Sequence, residues 1–262
     1  MQSIITHASY RPAFSNSFEP VSDITAGLTS GTFTAIHDSH PVILLKHCEG
    51  FCKVCYFLET QDLSGADWDS LAKNIRQASG GVPVYGDITL KGDFAFSGSV
   101  FDRLGMHPFR TYIRRSMKTP AKPFREYMTI EYAVQEDAQS IYDLMYSTEN
   151  FDPMADHLPT RSELDIMIYS RCVLKAVYKN ELAGFNIFED TGIKSYGAVL
   201  CVSQKFRDNI IGYSLDAHYI NIHIENTEFF YTWVDKDNKP SIGLQNYFGY
   251  RDDGVNNFIF RM

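Results

Sequence analysis

The sequence predicts a mixed α/β fold built as two tandem copies of one unit. Three observations predict it. Short β-prone runs alternate with helical patterns along most of the chain. A stretch with two prolines and three basic residues before Glu126, Lys118 to Arg125, interrupts that pattern and reads as a linker. The patterns on its two sides echo each other: Trp68 to Gly105 covers the same distance as Gly212 to Gly249, and both intervals read helix, strand, helix. Leu104-Gly105-Met106 before Phe109–Met117 likewise parallels Phe248-Gly249-Tyr250 before Asn257–Met262. The expected organisation is one domain over residues 1–120, a linker over 121–126 and a second domain over 127–262.

Taken in order, residues 1 to about 40 show no sustained period, so irregular structure with one short helix is expected. Val42–His47 and Phe51–Leu58 flank Glu49-Gly50 and predict a hairpin. Trp68, Leu71, Ala72 and Ile75 lie on one helical face, with Asp67 as N-cap and Gly80-Gly81 as the stop. Val82–Leu90 reads as a strand, Phe96–Leu104 as a short helix and Phe109–Arg114 as a strand. Past the linker, Met128–Tyr132 reads as a strand and Glu136–Tyr146 as a helix, buried through Ala138, Ile141, Leu144 and Met145. Residues 149–159 form a loop, and Thr160-Arg-Ser-Glu163 spells a capping box that opens the next helix. Val173–Tyr178 and Ala183–Phe188 form a second hairpin. Val199–Val202 is a buried strand, Ile210–Ile224 a helix, Glu228–Val234 a strand, Asn238–Phe248 a helix ended by Gly249, and Asn257–Arg261 a last strand.

Composition narrows the function classes. The 262 residues hold 24 Lys and Arg against 32 Asp and Glu, a formal net charge of −8, with no long basic run. That argues against nucleic-acid binding and suits a cationic partner. No apolar run approaches the roughly 20 residues that span a bilayer, and the first residues lack the basic-then-apolar pattern of a secretory signal. Five cysteines, an odd number, predict reduced thiols and a cytoplasmic setting. The oligomeric state is left open.

Four stretches could carry chemistry. Val199 to Leu215 reads strand, basic turn, helix N-terminus, a layout that presents free N–H groups and a positive dipole end to an anion. Arg207 adds charge and Gly212 allows close approach. In the first copy, residues 59–67 contain no basic residue, so that copy lacks the equivalent loop. Second, Cys48, Cys52 and Cys55 spell Cys-x3-Cys-x2-Cys, the spacing with which radical S-adenosylmethionine enzymes hold an iron–sulfur cluster. Alternation along a strand would turn Cys52 and Cys55 to opposite faces, which favours buried thiols. Third, Asp152, Asp156 and His157 offer acid–base or metal-ligating groups on one loop. Fourth, Asn238 to Tyr250 is a helix with glycine at its end. No Ser nucleophile elbow and no Walker loop occurs.

Two of these stretches together resemble the GNAT superfamily of acetyl-CoA-dependent N-acetyltransferases, over residues 125–262. Arg207 and Gly212 fall on that family's R/Q-x-x-G-x-G/A signature, with Ile210 where its first glycine stands and Gln204 where the preceding strand end commonly has proline. Asn238, Ser241, Leu244, Gly249 and Tyr250 fall at the spacings of its later Asn-x-x-Ala-x-x-Leu-Tyr-x-x-x-Gly-Phe element. The resemblance implies tandem GNAT-like domains with a central mixed, mostly antiparallel sheet flanked by helices, the first copy degenerate. It implies two central strands that splay to admit the pantetheine arm. It also implies acetyl-CoA as cosubstrate, no metal, and an amine-bearing acceptor that attacks the thioester directly. Cys201, Val202 and Ser203 would line the arm, with Asn209, Ile210, Ile211, Gly212, Tyr213 and Ser214 on the pyrophosphate, Arg207 beside it and Asn238 farther along. The family's general-acid Tyr falls on Gln245, with Tyr247 two positions on, so catalytic candidates are these two and, on the acceptor side, Asp152, Asp156 and His157. A lapsed acyl-CoA-binding or scaffold protein is the alternative, and the iron–sulfur enzyme a distant one.

Overall fold

The computed structural model describes residues 14–17, 19–37, 41–60, 62–64, 66–147, 151–207 and 210–262. Two compact units emerge: Met1–Thr111 together with Val255–Met262, and Tyr112–Gly254.

In the first unit, strand β1 (Phe14–Ser15) precedes helix α1 (Val21–Ser30) and strands β2 (Phe33–His37), β3 (Val42–Cys48) and β4 (Phe51–Leu58). Helix α2 (Trp68–Ala78), strand β5 (Val84–Lys91), the single turn α3 (Val100–Arg103) and strand β6 (His107–Lys118) follow, β6 passing into the second unit at Tyr112. The expected hairpin is present, with Val42 opposite Phe57 and Cys48 opposite Phe51. Asp67 caps α2 by accepting from the Ser70 amide at 3.1 Å, and Trp68, Leu71, Ala72 and Ile75 are its buried face. Period-two alternation splits the hairpin's apolar residues between two cores. Ile43, Leu45, Cys52, Val54 and Tyr56 pack with α2, Phe101 and Phe260; Val42, Leu44, Cys55 and Phe57 pack on the other face with Ile24 of α1 and Phe33. Each fully buried aliphatic or aromatic side chain here contributes about 1.5–3 kcal/mol. The predicted helix over 96–104 shrinks to one turn at Val100–Arg103, where Ser99 caps it by accepting from the Asp102 amide. Residues 21–37, expected as mostly irregular, fold as α1 and β2; α1 buries only Ile24 and Gly27, which leaves a faint period.

The second unit holds strand β7 (Glu131–Tyr132), helices α4 (Ala138–Ser147) and α5 (Arg161–Tyr169), strands β8 (Val173–Tyr178), β9 (Glu181–Asp190) and β10 (Lys194–Val202), helix α6 (Ile211–His223), strand β11 (Phe229–Asp235) and helix α7 (Lys239–Phe248). The last strand, β12 (Arg251–Arg261), enters the first unit at Val255. The capping box at Thr160 and Glu163 is complete, the Glu163 carboxylate accepting from the Thr160 amide at 2.7 Å. Lys179 and Asn180 take positive φ in the β8–β9 turn, at 53° and 62°, the conformation a two-residue hairpin loop demands. The second unit's strand order is β6-β11-β10-β9-β8-β7, with β10 and β11 parallel and the other pairs with recorded register antiparallel. In the first unit the order is β2-β3-β4-β5-β12, with β1 added to β4. Here β4 and β5 are parallel, and β12 lies antiparallel to β5, Val255 opposite Lys91 and Arg261 opposite Tyr85.

Two cores flank the second unit's strands. Helix α6 and the end of α7 bury Ile211, Leu215, Tyr219, Ile220 and Phe248 against Leu174, Ala183, Phe188 and Phe230. Helices α4 and α5 bury Ile141, Met145, Leu164 and Ile168 against Val173, Phe185, Ile187, Val199 and Cys201 on the other face. Among the described residues no helix is long and apolar enough to cross a membrane.

Candidate functional site

The second unit's two parallel central strands part. Strands β10 and β11 pair from Lys194–Phe229 to Gly197–Thr232, and the register ends there, although β10 runs on to Val202 and β11 to Asp235. A bulge in β10 between Gly197 and Val199 bends it at that point. The Thr232 hydroxyl donates to the Gly197 carbonyl at 2.8 Å, on the last paired rung. Beyond it the two strands form a fork.

The antiparallel ladder to β9 sets which groups of β10 face the fork. The Ser203 amide donates to Ala183 O at 2.9 Å. Alternation along the ladder then turns the backbone of Cys201 toward β9 and that of Leu200 and Val202 toward the fork. Of the three arm-lining residues expected from sequence, Val202 has fork-facing backbone groups, while Cys201 and Ser203 point theirs the other way. Leu200, which the sequence does not single out, joins Val202.

At the fork's open end lies the first turn of α6. Ile210 is its N-cap residue and provides no side-chain cap, so the amides of Ile211, Gly212 and Tyr213 have no acceptor inside the helix. The Ser214 amide makes the first helical bond, to Ile210 O at 2.9 Å, and the Ser214 side chain is buried. A Cβ at Gly212 would stand 3.4 Å from Val202 Cγ2 and 3.9 Å from Leu244 Cδ2, so the glycine looks toward the end of β10 and toward α7. Ile210 and Arg207 are exposed; Asn209 lies outside the described residues. Tyr213 stacks on Phe248 at 5.1 Å and meets Tyr247 edge-on at 5.3 Å, and burial pushes its phenol up to about 12.

Helix α7 carries the remaining candidates. Asn238 is its N-cap, accepting from the Ser241 amide at 3.2 Å. Gln245 is buried, whereas Tyr247 is 66% exposed and turned toward Tyr213. The C-terminal part of the helix is held by Arg115 of β6, which donates to Ile242 O, the Asn246 side chain and Tyr250 O at 3.1, 2.6 and 3.0 Å.

Asp152 and Asp156 organise their own loop. Asp152 accepts from the Met154 and Ala155 amides, and Asp156 accepts from the Asp152 amide at 2.7 Å and from the Tyr112 hydroxyl at 2.6 Å. His157 is exposed at φ 50°. The cysteine motif does not converge. Cys52 lies in the core under α2 and Cys55 in the core under α1, on opposite faces of β4, so they cannot share a cluster, and burial pushes the Cys55 thiol up to about 11. The iron–sulfur alternative falls on that geometry. Among the described residues no group of three or more His, Cys, Asp or Glu side chains converges as a metal site.

The first unit has a fork as well. Strands β4 and β5 pair only at Cys52–Val84 and Lys53–Tyr85, then continue separately. Residues that show no period in the sequence fill this one. Strand β1 pairs with β4 through Phe14–Leu58 and Ser15–Phe57. The buried Asn16 amide then bridges the two arms, donating to Val54 O at 2.8 Å and Asp87 O at 3.1 Å while accepting from the Tyr56 amide at 2.7 Å.

One titratable group on α6 is not singled out by the sequence. Asp216 accepts from the buried Asn186 amide at 3.1 Å, and burial pushes its carboxyl up to about 7 against that hydrogen bond. A carboxyl whose folded value lies above its unfolded one binds its proton more tightly in the folded chain. Its charge therefore costs nothing below about pH 4, and the cost grows with pH until it is complete above pH 7. Asp216→Asn is expected to gain up to about 4 kcal/mol of stability at pH 8 and nothing near pH 4. Urea unfolding at the two pH values reads the difference.

No family model matches the sequence, and no curated protein matches it. Solved structures do match in fold. A GCN5-related N-acetyltransferase from Sphaerobacter thermophilus superposes with a TM-score of 0.61 at 12% identity, covering 94% of this chain and 86% of that one. A tandem GNAT protein from the clavulanic acid biosynthesis pathway gives 0.56 at 12% identity over 100% and 92%. A GCN5-related N-acetyltransferase from Kribbella flavida gives 0.56 at 10% identity over 99% and 67%. With a forked strand pair in each unit, the first filled from within, the chain has a fold like that of tandem GNAT proteins.

Proposed function

We propose that the second unit binds acetyl-CoA in the fork between β10 and β11 and transfers the acetyl group to a primary amine. The observation that carries this reading is the fork itself, with the fork-facing backbone of Leu200 and Val202 on one arm and the first turn of α6 at its open end. Strand-edge N–H and C=O groups match the amides of a pantetheine arm. First-turn amides and the helix dipole match a pyrophosphate. In the reaction a neutral amine nitrogen attacks the thioester carbonyl, the C–N bond forms, the C–S bond breaks, and the thiolate leaves. A backbone N–H beside the carbonyl would stabilise the developing oxyanion, and the fork would supply proximity and orientation.

Gln245 favours a second reading. It stands where the family's general acid falls, is buried, and has an amide that does not give up a proton as a phenol does. On that reading the chain binds acyl-CoA without turning it over. The two are separated by titrating acetyl-CoA calorimetrically and then following thiol release with a panel of amines. Binding with turnover is the expected result; binding without turnover selects the lapsed protein, and no binding removes both. The first unit is read as a copy without a cofactor, because Asn16 and β1 fill its fork. The expected stoichiometry is therefore one acetyl-CoA per chain.

A further inference from the structure

If acetyl-CoA lies in the second unit's fork, the attacking amine must reach the thioester from one face of the sheet. The face under α6 is closed by the core of Leu215, Tyr219, Phe230 and Phe248. The opposite face at the fork's base is different. The last paired rungs are Tyr196–Tyr231 and Gly197–Thr232. Alternation puts Gly197 over Tyr219, whose ring would lie 3.6 Å from a Cβ there, and so puts Tyr196 and Tyr231 on the face away from α6. Their rings stack at 5.0 Å and 14°. Neither they nor Trp233, which shares that face of β11, belong to a hydrophobic core, and all three are half-buried with part of each ring open to solvent.

Charge around this aromatic platform is mostly negative. Asp156 is tied to it through Tyr112, whose hydroxyl donates to Asp156 at 2.6 Å, and Tyr112 stands opposite Asp235 at the end of β11. Tyr196 feels the carboxylates of both Asp156 and Glu189, and Tyr231 that of Glu189. The nearby cation, Arg114, lies 5.9 Å from the Trp233 ring and is ion-paired to Asp253 at 2.7 Å. Stacked aromatic rings flanked by carboxylates favour a protonated amine that also carries apolar surface, and disfavour an acidic one.

We propose that the acceptor enters over the Tyr196–Tyr231 pair and is a cationic amine bearing an aromatic or apolar group, held by these rings with Asp156 and Glu189. The proposal rests on the acetyl-CoA reading above. The step balances without another reactant. The bound ammonium gives one proton to solvent, and its nitrogen attacks the thioester carbonyl. The departing thiolate takes a second proton, and the nitrogen keeps the third as the amide N–H.

The test uses the full chain, with 2-phenylethylamine as the matching probe and L-aspartate as the mismatched one. Acetyl-CoA affinity is measured first by calorimetry; failure there overturns the cleft reading before any amine is added, and the acceptor proposal with it. With acetyl-CoA bound, 2-phenylethylamine is expected to show a KM at least ~10-fold below that of L-aspartate. Tyr231→Ala and Asp156→Asn are each expected to raise the amine KM about 10-fold while acetyl-CoA affinity stays unchanged. Saturation-transfer NMR of 2-phenylethylammonium reads the same site without turnover, with a signal expected from the native chain and attenuated in both variants. A preference for aspartate, variants with native KM and NMR signal, or no signal from the native chain would each overturn the placement.

Discussion

Gly212→Glu is expected to weaken acetyl-CoA binding about 100-fold, while Gly212→Ala leaves it within about twofold. The pair of substitutions separates charge from bulk. A Cβ at position 212 would meet Val202 and Leu244 at 3.4 and 3.9 Å, ordinary van der Waals distances, so alanine fits without displacing either. A glutamate carries a negative charge toward the end of the fork, where the pyrophosphate is proposed to lie. Two unit charges about 6 Å apart at an effective dielectric near 20 repel by about 3 kcal/mol, which corresponds to roughly 100-fold in affinity. The same charge is favourable to the helix, because it stands in the first turn of α6, where the dipole attracts anions. The glutamate variant should therefore keep the native thermal midpoint while losing its ligand. Calorimetric titration with a melting curve on each variant measures both quantities, and a glutamate variant that binds normally would place the cofactor elsewhere.

Local chemistry made much of the second unit legible. Thr160 and Glu163 announce a helix start because a capping box satisfies two backbone donors with two side chains three positions apart. Asn238 and Gly249 bracket α7 because one caps its first turn and the other takes φ 96° at its end. What escaped depends on pairing across the chain. Val199–Val202 stands out as apolar, but β10 begins at Lys194, and Gly197 interrupts its pattern just where the register to β11 ends. The fork is a property of two strands that stop pairing, and no residue type encodes that by itself. The course of β12 escaped for the same reason: Asn257–Arg261 reads as a strand, but its antiparallel partner β5 lies far back in the chain. Asp216 looks like a solvent-facing helical residue until its neighbour on β9, Asn186, is known.

The least legible residue carries the largest expected effect on stability. Asn16 lies among Ser, Phe and Pro residues with no hydrophobic period, yet it is 3% exposed and makes three hydrogen bonds to backbone groups of β4 and β5. An asparagine side chain can donate twice and accept from the opposite side, so one amide serves both arms of a fork that no ladder closes. Alanine would leave the Val54 and Asp87 carbonyls and the Tyr56 amide without that partner. A buried backbone group left unpaired costs about 1–3 kcal/mol, so Asn16→Ala is expected to destabilise the chain by about 3–6 kcal/mol. Aspartate is no rescue, because it keeps the shape but loses both donors and places a charge against two carbonyl oxygens. Serine, which reaches one group at most, should recover about 1 kcal/mol. Denaturant unfolding of the three variants gives the ordering directly. If Asn16→Ala unfolds at the native midpoint, the bridge is ornamental, and filling of the first fork no longer accounts for a single acetyl-CoA per chain.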